Sequence, residues 1–231
     1  MTSSMTAQTL TAQTTTKMPA GESRASEQGR LGRLITGPIV IGLAVWASLA
    51  TLLAQTEIFQ IEIGGIPVAI VAAIAIPVTG FLVAVRTIPA VRAYVEAQDL
   101  ALLTALQGWR VIGSIFLVLW AYGQLPAVFA LPAGLGDIAV GLVAPFAAIA
   151  VALKAPGWQR AANGVIVAGL ADFAVAFVTG IGSIGGNFLD FAAVSSDGVL
   201  NTLPVSLIPN FFVPLFIIAH VMAIIKMRSM R

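Results

Sequence analysis

Six stretches of this chain run for about twenty residues each with scarcely a charged side chain, and that pattern admits few folds. A helix of ~20 apolar residues covers the ~30 Å hydrocarbon layer of a bilayer. The chain therefore reads as an all-α membrane protein, a six-transmembrane-helix bundle. The expected spans are Leu34–Leu53, Gly65–Val85, Trp109–Ala127, Leu131–Leu153, Ala161–Ile181 and Leu203–Ile225. Composition supports this reading. Only 10% of the residues are charged, against roughly a quarter in a soluble domain.

The domain layout follows. Residues 1–33 form a polar tail rich in Thr, Ser, Gln and Ala, expected to be disordered and cytoplasmic. Residues 34–226 form the transmembrane domain, and 227–231 the cytoplasmic C-terminus. No apolar core precedes Leu34, so the tail is not a simple signal peptide. The loop between the second and third spans reads as an amphipathic helix over about 88–107. Thr87 would cap it, Pro89 would lie in its first turn, Arg92 and Glu96 stand four apart, and Gly108 would stop it. Such a helix fits the inner membrane surface, and it also fits a cytoplasmic partner.

Basic residues orient the bundle. Lys17, Arg24, Arg30 and Arg33 precede the first span. Arg86, Arg92 and Arg110 lie in or beside the second loop, Lys154 and Arg160 in the fourth. Lys226, Arg228 and Arg231 follow the last span. With six spans all of them fall on one side, which the positive-inside rule makes cytoplasmic; both termini are then inside. The opposite loops carry Glu57, Glu62, Asp190 and Asp197. The basic balance thus reports orientation in the lipid bilayer, and no nucleic-acid partner is implied.

The chain has no cysteine and one histidine, which excludes disulfides, thiolate chemistry and cysteine-held metal. No cofactor is implied. No phosphate loop or nucleophile–base pair is visible, so the expectation is that the protein is not an enzyme. Each returning span begins near a proline: Pro67 and Pro77, Pro132 and Pro145, and Pro204, Pro209 and Pro214. That recurrence suggests three parallel helical hairpins. Proline is also simply common in spanning helices.

The polar residues inside the spans are the candidates for chemistry. Ala130, Ala133, Gly134, Asp137, Gly141, Ala144 and Ala148 share one helical face, opposite Leu135, Ile138, Leu142, Phe146 and Ile149. Small faces pack on neighbouring helices and bulky ones meet lipid, so Asp137 points into the bundle. It is expected about 8 Å below the outer surface. Asp172 shares a face with Ala168, Gly169, Ala176 and Thr179, roughly 18 Å above the inner surface. Asn210, Gln124 and Tyr122 are placed near them, completing a candidate intramembrane polar site. No basic residue is expected in the outer half. The acids must then be protonated, hydrogen-bonded to those neighbours, or bound to something positive from outside. Toward the inner side lie His220, roughly 9 Å deep, and Arg110, which beside Trp109 reads as an interface anchor.

The stretch from Trp109 to Pro145 carries Arg–x–x–Gly, Gly–x–Leu–Pro and Ala–Gly–x–Gly–Asp. These fall on Arg110, Gly113, Gly123, Leu125, Pro126, Ala133, Gly134, Gly136 and Asp137. With the sixth span, this pattern resembles an uncharacterised family of bacterial six-span integral membrane proteins with an Ala–Gly–x–Gly–Asp turn. The resemblance implies a bacterial inner-membrane protein and no particular activity. Two classes of function stay open. One is a small proton- or cation-linked transporter using Asp137 and Asp172. The other is a non-transport sensor, scaffold or assembly factor, acting through a homo-oligomer or a membrane-protein partner.

Overall fold

The structure, a computed structural model, describes residues 37, 39–60, 68–184 and 199–230, and all regular structure among them is helical. The N-terminal tail and the acids Glu62, Asp190 and Asp197 lie outside the described residues. The described residues form the helices α1 Ile39–Ala54, α2 Val68–Thr87, α3 Pro89–Ala97, α4 Leu100–Ala121, α5 Ala127–Ala152, α6 Trp158–Ile184 and α7 Ile208–Ser229. Short 3-10 turns lie at Glu57–Gln60 and Val199–Asn201. Five helices are long and apolar enough to cross a membrane: α2, α4, α5, α6 and α7; α1 is shorter. The protein is thus multi-pass. Contacts divide the chain after Val45; the described part of the first unit is the opening of α1, and the second runs from Trp46 onward.

The loop expected as one amphipathic helix over 88–107 is two elements. α3 starts at Pro89 with Ile88 as its N-cap, and Thr87 instead bonds back to Val83 inside α2. Arg92 and Glu96 pair at 2.9 Å on its exposed side. At Asp99 the chain turns, and the Asp99 carboxylate accepts the Ala101 N–H at 2.9 Å, capping a new helix. That helix is α4, so the span expected to begin at Trp109 begins at Leu100. Gly108 does not stop it. α4 instead tightens to 3-10 geometry over Leu106–Ser114 before resuming as α-helix.

α5 begins earlier than expected too. The turn is made by Tyr122–Leu125 with Gly123 at φ 70°, and Pro126 caps a helix that starts at Ala127. Pro132 lies inside α5, not in its first turn, and the Ala–Gly–x–Gly–Asp stretch is helical rather than a turn. α5 is the centre of the packing, lying along both α4 and α6, while α2 packs on α3 and α7. The expected small face of α5 is buried, with Ala130 and Ala144 fully covered, while Leu135, Leu142, Phe146 and Ile149 are exposed. Near the Gly123 end, Phe116, Phe129 and Ile208 pack together, with the two phenylalanine rings 5.3 Å apart. Toward the other end, Leu103, Ile166 and Met227 do the same.

Candidate functional site

Helix tightening and small residues bring α4 against α5. A Cβ on Gly141 would stand 2.8 Å from the Val111 backbone nitrogen and 3.3 Å from the Gly108 carbonyl. Only a bare backbone permits that approach, the same device that draws spanning helices together generally. Arg110 sits in this stretch, about ten residues into α4 and therefore near its middle, not at an end. Its side chain is fully buried.

Three partners surround the guanidinium. Nε donates to Asp137 Oδ1 at 2.7 Å, Nη1 donates to the Gly169 carbonyl at 3.0 Å, and Nη2 donates to Asp172 Oδ2. The ring of Phe173 covers it, with Cζ 3.8 Å from the centroid, so the cation gains a π face as well. One arginine thus ties α4, α5 and α6 together. Asp137 lies about ten residues into α5, ~15 Å along it, nearly twice the depth expected from a helix starting at Leu131.

Glycines make the room. A Cβ on Gly113 would meet Asp137 Cγ at 2.6 Å, and one on Gly136 would meet the Asp172 carboxylate. A Cβ on Gly169 would lie 2.9 Å from Arg110 Nη1 and collide with His220 Nε2. His220 on α7 therefore belongs to the same cluster. It is 1% exposed, and its ring stands edge-on to Phe173 with centroids 6.4 Å apart. Its Nε2 has no hydrogen-bond partner among the described residues. The site is a four-helix assembly of Arg110, Asp137, Asp172 and His220.

Asp137 and Asp172 both turn toward a neighbouring helix, and the partner they share there is Arg110. Gln124 and Tyr122 are exposed and touch neither acid, Tyr122 being 78% accessible. Asn210 is buried, but both its side-chain polar atoms lack partners among the described residues, so it does not serve the carboxylates. Arg110 is no interface anchor, and it supplies the buried base that the acids were expected to lack. A signal for it existed: Leu100–Ala121 is apolar enough to be one span, and Arg110 stands at its middle.

Chemically the cluster sets two carboxylates against one guanidinium. If all three are ionised it carries one net negative charge inside the bundle, and the addition of one proton makes it neutral. Gln107 is buried on the same stretch of α4, donating to the Phe216 carbonyl of α7 at 3.4 Å. Among the described residues no group of three His, Cys, Asp or Glu is arranged to hold a metal ion.

No curated protein and no solved structure matches the chain. One family does, described as "Domain of unknown function (DUF8737)", over residues 67–228. The match runs from the residue before α2 almost to the end of α7 and contains every residue of the buried cluster. A family that covers well over half of the chain, spanning helices and ionic centre together, defines its membership: the protein belongs to the DUF8737 family.

Proposed function

We propose that the protein is a small proton-linked transporter of the bacterial inner membrane, with Arg110, Asp137, Asp172 and His220 as its proton-binding centre. The observation that carries this reading is the imbalance of the cluster: two acids share one base, and beside them stands a buried imidazole nitrogen with no partner among the described residues. Ionisable groups inside a spanning bundle commonly mark ion or proton pathways. Four helices meet at the cluster, so a change in its charge bears on every contact that holds them. In this proposal the chain makes six spans, with α1 as the first, and both termini are cytoplasmic. The basic residues outside the spans then still fall on one side.

A second reading has its own support. Arg110 is fully covered and bonds to both acids and to the Gly169 carbonyl, which suits a fixed clamp in a sensor, scaffold or assembly factor. Flux separates the two. Purified protein in proteoliposomes should carry protons under imposed pH and ion gradients. Asp137→Asn and Asp172→Asn should each abolish that flux while melting in detergent near the parent temperature, because asparagine keeps the shape and an accepting oxygen. A parent protein with no flux across a broad set of gradients would sink the transporter reading and leave the clamp.

A further inference from the structure

We propose that the bundle carries a binding site for the headgroup of an anionic phospholipid, in the groove between the end of α2, α3 and the end of α7. The groove has a volume of about 410 Å³. Its walls include Leu82 from α2 and Ile224 and Ile225 from α7, and its rim is set by Arg86, Arg92 and Arg228. Glu96 is the single acid in the lining, and it pairs with Arg92 at 2.9 Å. Arg86 and Arg228 are exposed and have no hydrogen-bond or ion-pair partner among the described residues.

The combination of surfaces selects the ligand. Two free guanidiniums match the oxygens of a phosphate, each able to make paired N–H···O bonds. A free phosphate has no use for a wall of leucine and isoleucine, whereas a lipid has acyl chains to lay on it. The position agrees: Arg86 is in the last turn of α2 and Arg228 in the last turn of α7, where a spanning helix meets the headgroup layer. Basic pockets between spanning helices recognise acidic headgroups in this way. Lys226 donates to the carbonyl of Glu96, a residue of the lining, and so ties α3 to α7. The site is independent of the transport reading; under the proposed topology it faces the cytoplasmic leaflet.

Lipid binding to the purified full-length protein in detergent tests it. Phosphatidylglycerol and phosphatidylcholine of equal chain length are titrated, and bound lipid is counted by native mass spectrometry. The intact protein should prefer phosphatidylglycerol. Each of Arg86→Gln and Arg228→Gln should weaken that binding about 5-fold, and the pair about 25-fold, with phosphatidylcholine unaffected. Arg160→Gln, away from the groove, should change neither. If the double variant does not fold, the single Arg228→Gln variant carries the same reading at 5-fold. An unchanged preference in the arginine variants would overturn the site. Inorganic phosphate that displaces the lipid at equal concentration would overturn the lipid assignment, since it would mark a soluble-anion site.

Discussion

Arg110 is the residue on which the interior depends most. Removing one partner of a buried ion pair leaves a charge with no counterpart, at a typical cost of ~3–5 kcal/mol. Arg110→Gln strands two carboxylates at once, so it should lower stability by at least that amount in denaturant or thermal unfolding in detergent. Adding Asp137→Asn and Asp172→Asn to it removes the stranded charges, and the triple variant should recover part of the loss. A triple variant less stable than Arg110→Gln alone would mean the carboxylates are held by something other than the arginine. The glycines make a sharper test of geometry. Gly113→Ala and Gly136→Ala place a methyl group on the two carboxylates and should break the cluster, whereas Gly164→Ala, on the same kind of helix with nothing within 4 Å, should be tolerated. Equal effects at all three positions would show that the close approach is not what these glycines provide. At this scale the acids were legible from the chain, because a carboxylate amid glycine and alanine at helical spacing can only face a neighbour. Their partner was not. A single arginine beside Trp109 carries the same local signal at an interface as in a core, and only its distance to Asp137 and Asp172 separates the two.

Among the elements, α4 departs furthest from its local sequence pattern. Its first turns, Leu100–Ala105, are apolar on one side and bury Leu100, Leu103 and Thr104 against other helices. The same alternation suits a helix lying at the membrane surface, and for that reason the chain alone suggested an interfacial helix running to about 107. What distinguishes them is the Asp99 cap, which starts a new helix two residues after α3 ends. Asp99→Ala should therefore cost about 1 kcal/mol, the usual value of a lost N-cap, seen as a lower melting temperature with topology intact. Between α4 and α5 the contact is a glycine seam. Gly141→Leu should drive the helices apart and sharply reduce folded protein recovered from the membrane, since even a Cβ there would lie 2.8 Å from the Val111 nitrogen. Leu142→Ala, on the exposed face, should leave recovery near the parent level. Comparable losses from the two would show that the face assignment of α5 is wrong.

For the whole molecule the testable property is orientation. A reporter that is active only in the cytoplasm, inserted at Gly157 or fused after Arg231, should be active; inserted at Gly123, it should be silent. Reversed signals would overturn the proposed topology, and an active reporter at all three positions would mean that α4 and α5 do not cross. Gly157 and Gly123 both take positive φ in turns between spanning helices, so an insertion there interrupts no helix.

The sequence by itself determined the class of fold, because a helix that must satisfy its own backbone in hydrocarbon leaves a local record: a run of apolar residues of fixed length. It also determined which side of α5 is exposed, since bulky and small residues segregate at a 3.6-residue period that needs no knowledge of the neighbours. The tertiary structure alone decided where α4 begins, how deep Asp137 lies, and that Arg110 and His220 join the acids. Those facts are relations between helices far apart in the chain. A charge in an apolar run is costly until a partner arrives from another helix, and nothing near it in sequence records which partner that is.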